Sequence, residues 1–569
     1  MLKFSKYLYK IMLLLELVAL VFMVSICQPR SKDRAEKEQQ VLKHTRDAVH
    51  VTEDSSPDFS KLDTAHFYYG LINDDAYFYK INKLTARSCS GFYCPLDSST
   101  QWLESESFTI EFDKNSVYFV SKGRRIPLEF DIVLDSLSVT GSFKIVSPDP
   151  FPDDNHLVFR RFQEPSFQIC KSKRFSQEFL DVKVLKDIQY GQAKGFWTSY
   201  QMNDTKFVKM LLKNLGKTIT PKPLNLTLDI YLPEKDTVKE HPLFVLMHGG
   251  AFYFGDKGSE NMRLWCEHFA KMGYVVASVN YRMGFLPAKA SIQRCGYEAI
   301  QDANAAMRYL IYHASDYGID TNNVFVGGTS AGSITMLSMA FMNDNNCPDF
   351  VRQHNFKKKL GSLKTADNDI RQPFKIKAIA NMWGAIYDLK EINSRPVPVI
   401  SFHGDHDNIV PFDKGIPFSE VKGKIGEMLF DTMYGSKAIH EYLDSMHVRN
   451  EFYPLQGMKH APYEDANGHV NDIYYFIQNK MQSFFLKELQ KVAPIKEISK
   501  KPLQYAIKQD DIAEIQWKVE GGFILERNGN AVTVVWLRDA PRNTISATGR
   551  LKNGAPFFVK KKISKPRFI

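Results

Sequence analysis

Cysteine is scarce in this chain, which limits both metal binding and covalent cross-linking. The 569 residues contain seven cysteines, and their spacing does not indicate a zinc site. Cys89 and Cys94 are close enough in sequence to close a small disulfide loop in an oxidising compartment. The remaining cysteines beyond residue 27 are scattered and are expected to be buried thiols: Cys170, Cys266, Cys295 and Cys347. We therefore predict no metal ion.

The middle of the chain lacks a basic stripe with interleaved aromatic residues, so a nucleic-acid surface is not predicted. The net charge is +10, from 74 basic and 64 acidic residues. Part of the excess lies near the two ends: Lys3, Lys6, Lys10, Lys560, Lys561, Lys562, Lys565 and Arg567. A hydrophobic share of 44% and a charged share of 24% indicate a globular chain. Its length predicts two to four domains of about 100 to 200 residues each.

The apolar run near the N-terminus is shorter than a comfortable membrane span. Residues 11–27 are apolar except for Glu16 and Ser25, and the sequence turns polar at Gln28. A run below about 20 residues favours a cleaved signal peptide over a retained signal anchor, and acylation of Cys27 is a further alternative. Residues 1–27 are therefore predicted to export the protein to the periplasm, cell surface or medium, with a membrane tether if they are retained or lipidated. The charged residues 28–63 are predicted to form a flexible linker.

Two regions have the period-two alternation of β-strands. Residues 64–165 contain short alternating runs separated by Gly, Asp and Asn, which predicts an antiparallel β domain, either a barrel or a sandwich. Residues 498–569 return to strands after a different central region. Their pattern around Trp517, residues 532–536 and Asn553 resembles the PKD-like β-sandwich modules of exported bacterial proteins. This resemblance implies a spacer or adhesive module.

The central region, residues 180–492, alternates apolar strands with segments of helical length. The strands are predicted at residues 242–247, 274–279, 324–326, 378–380 and 398–402, and residues 299–310 are typical of the intervening helices. Such βαβ alternation predicts an α/β fold with a doubly wound, mostly parallel sheet. Ligands of such sheets bind beyond the carboxyl ends of the strands.

One of these strands runs into a sharp glycine-flanked turn. The segment Gly328-Thr329-Ser330-Ala331-Gly332 follows the apolar run 324–326 and precedes a helix-like stretch. A serine between two glycines at a strand-to-helix turn is the pattern of a nucleophile elbow, which projects its Oγ from the sheet. The pattern is short enough to arise by chance, so its interpretation depends on the partners elsewhere in the chain.

A serine nucleophile also needs N–H donors for the oxyanion that develops on the substrate. The strand ending at Met247 continues into His248-Gly249-Gly250-Ala251, where glycines let the backbone turn its N–H groups toward a ligand. We predict that the oxyanion hole is formed by Gly249, Gly250 or Ala251 together with the N–H of Ala331.

The acid and the base are predicted downstream of the serine, in that order. The strand 398–402 ends in His403-Gly404-Asp405-His406-Asp407, and Asp407 matches the H-G-x-x-D-x-x-V-P pattern of esterases better than Asp405 does. His460 follows the strand 449–453 and a glycine, so it is the predicted general base, with His469 as the alternative. We interpret His403 and His406 as structural or solvent-facing.

With these motifs in place, residues from about 220 to 485 resemble the carboxylesterase and lipase branch of the α/β-hydrolase superfamily. The resemblance implies a serine hydrolase of carboxylic esters, with a Ser330, Asp407, His460 triad and no cofactor. Two positions depart from the usual pattern, since Ala251 and Ser333 replace glycines. The alternatives are a serine peptidase of the same fold and an inactive hydrolase fold used for adhesion.

Several further residues have two readings in the sequence. Asp302 has an acidic side chain, but its helical context upstream of Ser330 indicates a scaffold residue. Four aromatic residues in the motif loops are candidates for an acyl or alcohol pocket, or for simple packing: Phe252, Tyr253, Phe254 and Trp383. The expected substrate is a small-molecule or glycan-linked ester, with acetyl, feruloyl or short acyl groups. The sequence does not indicate an oligomeric state.

Overall fold

A computed structural model describes most of the chain beyond residue 66. The backbone of eight early strands is described, at residues 67–72, 75–84, 88–95, 102–103, 106–113, 116–121, 124–133 and 156–161. From there the described ranges are 167–200, 220–343, 345, 347, 360–392, 396–418, 425–465, 469–500, 503–537 and 540–564. The predicted signal segment 1–27 and linker 28–63 lie outside these residues.

The elements follow one another along the chain in three groups. The early strands are β1 (Phe67–Ile72), β2 (Asp75–Leu84), β3 (Ser88–Pro95), β4 (Trp102–Leu103), β5 (Glu106–Asp113), β6 (Ser116–Ser121), β7 (Arg124–Val133) and β8 (His156–Arg161). The central elements are β9 (Asp181–Gly195), β10 (Lys222–Glu234), β11 (His241–Met247), α1 (Glu260–Lys271), β12 (Val275–Val279), α2 (Lys289–Tyr312), α3 (Ala314–Tyr317), β13 (Ile319–Thr329), α4 (Ala331–Phe341), β14 (Ala378–Met382), β15 (Ala385–Ile386), a 3-10 turn (Leu389–Glu391), β16 (Val399–Gly404), β17 (Lys414–Gly415), α5 (Ile425–Leu429), β18 (Met433–Gly435), α6 (Ser436–Ser445), β19 (Asn450–Leu455) and α7 (Asp472–Leu489). The last strands are β20 (Lys496–Lys500), β21 (Leu503–Ala506), β22 (Ile512–Glu520), β23 (Gly522–Asn528), β24 (Ala531–Leu537), β25 (Thr544–Leu551) and β26 (Pro556–Lys562).

The described residues fall into two compact units, and the first is the segment Ser172–Leu489. It is built on an eight-stranded sheet in the order β19-β16-β14-β13-β11-β12-β10-β9. The strands from β12 to β19 pair in parallel, while β10 is antiparallel to both β12 and β9. This is the strand order of an α/β-hydrolase sheet, and the predicted mostly parallel α/β fold is confirmed.

The central strands are buried on both faces, which explains why they read as continuous apolar runs. Every residue of β11, β12, β14 and β16 is buried. Phe244 of β11 packs edge to face on Phe269 of α1 and on Phe485 of α7. The neighbouring Leu243 and Val245 belong to the core that includes α2 and α4. Helices therefore cover both faces, and the loops at the carboxyl ends of the strands remain available for a site.

The second unit combines Thr52–Lys171 with Gln490–Ile569. Seven of its early strands, all but β4, form a closed sheet in which β7 and β8 are parallel and the other pairs antiparallel. The last strands form two sheets, β20-β21-β24-β23 and β22-β25-β26. The short strand β4 pairs in parallel with β24, opposite Trp536 and Leu537. Residues 64–165 and 498–569 are predicted to be separate domains, whereas this pairing places strands of both regions in one sheet.

The disulfide loop predicted for Cys89 and Cys94 does not fit the backbone. Both residues lie in β3, which pairs with β5 from Ser88 to Tyr93. Because a strand rises about 3.3 Å per residue, five residues separate the two Cα atoms by roughly 16 Å. Disulfides need Cα atoms within about 7 Å. The prediction failed because spacing in sequence does not reveal whether the intervening residues turn or extend.

The other cysteines largely follow the prediction. Cys266, Cys295 and Cys347 are buried and Cys170 is half-buried, and these four described cysteines form no disulfide. Among the helices that the structure describes, none combines the length and apolar character needed to cross a bilayer.

Candidate active site

Ser330 stands at the junction of β13 and α4 in a strained backbone conformation. Its φ of 50° and ψ of −119° lie outside the regions that non-glycine residues favour. A Cβ on Gly328 would lie 2.5 Å from the carbonyl carbon of Gly332, and one on Gly332 would lie 2.2 Å from the carbonyl oxygen of Met247. The two glycines are therefore required by close backbone approach, and together they hold Ser330 at the carboxyl end of β13.

The structure brings Ser330 together with His460 and Asp407, although the three residues lie on separate loops. Nε2 of His460 is 2.9 Å from Oγ of Ser330, and its Nδ1 is 2.7 Å from Oδ2 of Asp407. An ionised carboxylate only accepts hydrogen bonds, so Nδ1 carries the proton and donates to Asp407. In the neutral ring Nε2 then accepts from the Ser330 hydroxyl. This is the geometry in which a histidine can take a serine proton.

Asp407 is fully buried and receives four hydrogen bonds. Its Oδ1 accepts from the N–H groups of Ile409 at 2.8 Å and Val410 at 3.0 Å. Its Oδ2 lies near both His460 and His403. Burial alone would raise the pKa of Asp407, but the two imidazoles, His460 first, hold this pKa well below its usual range. The carboxylate is therefore ionised wherever the protein is folded near neutral pH.

His403 is a residue of this site that the sequence analysis set aside as structural or solvent-facing. Its fully buried ring places Nε2 3.1 Å from Oδ2 of Asp407 and 3.2 Å from the carbonyl oxygen of Val410. Because both neighbours are acceptors, Nε2 carries a proton and Nδ1 accepts from the hydroxyl of Ser436 at 2.8 Å. The signal in the sequence was its place four residues before Asp407 at the end of β16.

A buried polar network continues from His403 beneath the sheet edge. Nδ2 of Asn381 donates to Ser436 at 3.0 Å and to Ser401 at 2.8 Å. Oδ1 of Asn381 accepts from the hydroxyl of Ser333 at 2.6 Å. The hydroxyl of Ser333 thus has a partner in the core. Fully satisfied networks of this kind fix a single arrangement of the groups they join.

The alternative candidates for the acid and the base have other partners. Asp405 contacts His406 at 2.7 Å and accepts from the N–H of Gly457, so it supports the loop that carries His460. His469 is 69% exposed at its side chain and lies 3.7 Å from Glu260. Asp302 is buried against Arg282, whose Nε donates to it at 2.8 Å, which confirms its prediction as a scaffold residue.

The predicted oxyanion loop folds back toward Ser330. A Cβ on Gly249 would lie 3.2 Å from Cβ of Ser330, and Gly250 has a φ of 114°. Ala251 also has a left-handed φ, of 52°. Within the described ranges, the N–H groups of Gly250, Ala251 and Ala331 have no protein acceptor. These amides are thus free to donate to a ligand, although Ala251 adopts a conformation that costs a non-glycine residue about 1 to 2 kcal/mol.

His248 helps to hold this loop in place. Its Nδ1 donates to the carbonyl oxygen of Gly249 at 2.7 Å, and its ring stacks on that of Tyr281. Burial lowers the pKa of His248 to about 4, so the ring is neutral at pH 7. The hydroxyl of Tyr281 donates to the His248 carbonyl at 2.9 Å. The loop is therefore anchored from both sides.

A cavity opens beside Ser330, and the space between its walls, including the solvent at its mouth, amounts to about 970 Å³. Of the four aromatic residues predicted to line a pocket, Phe252, Tyr253 and Phe254 contact it. Trp383 instead is fully buried, stacks on Tyr463 and lies with its ring centroid 6.4 Å from that of His460. In the part of the chain that the structure describes, no group of three or more His, Cys, Asp and Glu side chains is arranged to hold a metal ion.

Comparison with known proteins finds esterases. The BD-FAE family model matches residues 228–397. Gut esterase 1 of Caenorhabditis elegans is 29% identical over 119 residues, which are 20% of this chain and 21% of that protein. Para-nitrobenzyl esterase of Bacillus subtilis (strain 168) is 31% identical over 121 residues, 21% of this chain and 24% of that protein. The chain thus spans about a fifth of the length of these curated relatives.

Two solved structures are similar to larger parts of the chain. A truncated carbohydrate esterase from gut microbiota covers 55% of this chain and 98% of its own, with 15% identity and a TM-score of 0.35. The propionate-bound esterase 2 of Thermogutta terrifontis covers 48% of this chain and 92% of its own, with 21% identity and a TM-score of 0.34. The fold assignment rests on the strand order of the central sheet.

Proposed function

We propose that this protein is a serine hydrolase that cleaves carboxylic esters. The observation that carries the proposal is the contact of Ser330 Oγ with His460 Nε2 at 2.9 Å, while His460 Nδ1 contacts the buried Asp407 at 2.7 Å. The relatives named as esterases support the same reaction class. The chemistry of this arrangement needs neither a metal nor an organic cofactor.

In the first half of the reaction, Ser330 Oγ attacks the ester carbonyl carbon as its proton moves to His460 Nε2. Asp407 holds the imidazole in the required tautomer and stabilises the imidazolium that forms. The carbonyl oxygen becomes an oxyanion, which the amides of Ala331 and of Gly249, Gly250 or Ala251 receive. Collapse of this intermediate breaks the bond to the alcohol oxygen, which takes the proton from His460 and leaves an acyl-serine.

In the second half, a water molecule attacks the acyl-serine while His460 Nε2 takes one of its protons. The acid is released as the proton returns to Ser330 Oγ. Each amide donor of an oxyanion hole typically lowers the barrier by about 3 kcal/mol. His248 is neutral at pH 7 because burial lowers its pKa to about 4, so it stabilises the oxyanion loop through its hydrogen bond to the Gly249 carbonyl and not through charge.

The experiment combines a fluorophosphonate probe with hydrolysis of p-nitrophenyl acetate by the full chain. We expect the probe to label Ser330, and Ser330→Ala or His460→Gln to reduce hydrolysis by at least about 10⁴-fold. His469→Gln, at the exposed alternative histidine, is the matched control and should retain full activity.

The outcomes separate the competing functions. Cleavage of a dipeptide amide in preference to the ester would indicate a serine peptidase of the same fold. A folded protein that neither reacts with the probe nor cleaves any ester would be a catalytically inactive hydrolase fold, and the proposal would be rejected.

A further inference from the structure

The wall of the cavity beside Ser330 is a packed apolar cluster. Phe285, Ile292, Ile334, Phe418 and Leu429 line the cavity, and each is buried within one hydrophobic cluster of the core. These residues come from separate segments of the chain, including α2, α4 and α5. A cavity with such walls gains free energy by removing apolar ligand surface from water and offers a polar group little compensation.

The charged group among the described lining residues is already neutralised. Asp431 lies 2.5 Å from Nζ of Lys289 and accepts from Nε2 of Gln293 at 2.5 Å. Both partners come from the first turns of α2. With its carboxylate engaged, Asp431 leaves no unpaired charge among the described lining residues that could compensate a charged acyl group.

The position of His460 decides which part of an ester can occupy this cavity. In ester cleavage, the alcohol oxygen must lie within reach of His460 Nε2, because it leaves with the proton that Nε2 carries. Among the described residues that line the cavity are Ser330, Ala251 and Ala331, whereas His460 is not one of them. The cavity therefore extends from Ser330 and the oxyanion amides, away from the side on which the alcohol leaves.

The acid of the site also supports the cavity wall. Oδ1 of Asp407 accepts from the N–H groups of Ile409 and Val410, whose side chains line the cavity. Oδ2 of the same carboxylate contacts His460. One buried group thus fixes the wall and the base relative to each other, which sets a constant distance between the cavity and Ser330.

We propose that this cavity binds the acyl group of the substrate, and that the acyl group is an uncharged apolar chain of medium length, about six to eight carbons. This inference rests on the proposed ester hydrolysis and specifies its substrate class. An acetyl group presents a single methyl to the apolar wall of the cavity, whereas a longer chain covers more of that wall. Each methylene that enters the cavity is removed from water, which contributes about 0.8 kcal/mol. This corresponds to a roughly fourfold increase in kcat/KM per methylene.

The test is a pair of substrate series measured with the full chain. With p-nitrophenol as the constant alcohol, kcat/KM should rise on the order of 10²-fold from the acetate to the hexanoate, at about fourfold per methylene. With acetate as the constant acid, butyl, hexyl and octyl esters should differ by less than about threefold. A p-nitrophenyl hemisuccinate should be cleaved far more slowly than the pentanoate, because the apolar wall cannot compensate its carboxylate.

A matched pair of variants assigns the effect to the cavity. Leu429→Ala removes a wall residue, and Leu443→Ala removes a leucine buried in the other core cluster. Both create a void, but only Leu429→Ala should reduce the ratio of hexanoate to acetate cleavage. Leu429→Trp, which fills the space, should lower hexanoate cleavage much more than acetate cleavage.

Three results would overturn the inference in distinguishable ways. Cleavage of acetate with no gain along the acyl series would reject the medium acyl chain and leave ester hydrolysis standing. A strong dependence on the alcohol series would mean that the cavity binds the alcohol. Absence of cleavage of every ester, together with absence of labelling at Ser330, would reject the proposed function itself.

Discussion

His403 and His460 share one oxygen of Asp407. Nε2 of His403 lies 3.1 Å from Oδ2, and Nδ1 of His460 lies 2.7 Å from the same atom. The first ring is fully buried and bound on its far side to Ser436, whereas the second reaches Ser330. Asp407 is therefore positioned by one imidazole while it orients the other, and this relationship leads to the first prediction.

Replacing His403 should impair hydrolysis without weakening substrate binding. We expect His403→Ala to lower kcat roughly 10- to 100-fold with little change in KM, because Asp407 loses a donor that orients it. Loss of that imidazole also removes part of what keeps the pKa of Asp407 low, so the pKa of this carboxyl should rise toward its usual range.

The neighbouring histidine offers a control for this experiment. His406 has a side chain that is 67% exposed, and His406→Gln should leave kcat and the pH profile unchanged. His403→Gln keeps an N–H donor at a similar distance and should recover part of the activity. An equal kcat in His403→Gln and His403→Ala would contradict a role for the N–H donor and would mean that the residue only fills space.

Asp407 should also make stability depend on pH in the acid range. Its folded pKa lies below the unfolded value of about 3.9, so its ionised form stabilises the fold above that pH, and this contribution is lost as the pH falls through the folded pKa. The free energy of unfolding of the wild type should therefore exceed that of Asp407→Asn most at pH 5 to 6. Urea titrations should show the difference shrinking toward pH 3, and a difference that stays constant would contradict this role.

Gly250 should not tolerate a side chain. A Cβ there would lie 1.9 Å from the carbonyl oxygen of Phe254, at a φ of 114°. We expect Gly250→Ala to displace the oxyanion loop and to reduce kcat/KM by at least about 10²-fold. Gly529 also has a left-handed φ, of 53°, but a Cβ there would meet nothing within 4 Å.

Gly529→Ala is thus the matched control for strain alone. It should cost about 1 kcal/mol of unfolding free energy and leave kcat/KM unchanged. Equal losses of kcat/KM in the two variants would show that the close backbone approach at Gly250 does not explain the loss in Gly250→Ala.

Removing Asn381 should destabilise the core more than a surface substitution does. Asn381→Leu would leave the buried hydroxyls of Ser333, Ser401 and Ser436 short of partners, at a cost of about 3 kcal/mol or more. Asn479→Leu, on the exposed face of α7, should change the free energy of unfolding by less than about 0.5 kcal/mol. Urea denaturation measures the free energy of unfolding of both variants. Similar losses in the two would contradict a stabilising role for this network.

The local sequence was sufficient to predict the structure wherever a motif determines its own backbone conformation. Gly328 can be read directly, because a side chain there would collide with the backbone of its own turn at Gly332. The apolar runs of β11 and β12 predicted buried parallel strands for the same local reason. The disulfide loop at Cys89 failed because the decisive fact, an extended backbone, depends on pairing with another strand.

By itself, the sequence determined the strand-and-helix alternation, the elbow at Ser330 and the chain order of the residues proposed as acid and base, since each depends on neighbours along the chain. Only the tertiary structure decided that Ser330, Asp407 and His460 lie within hydrogen-bond distance, and that His403 contacts the acid. It also decided that Leu429 and Ile292 face one cavity. Contacts between residues on different strands and loops depend on the order of the strands in the sheet. That information is spread over the whole unit.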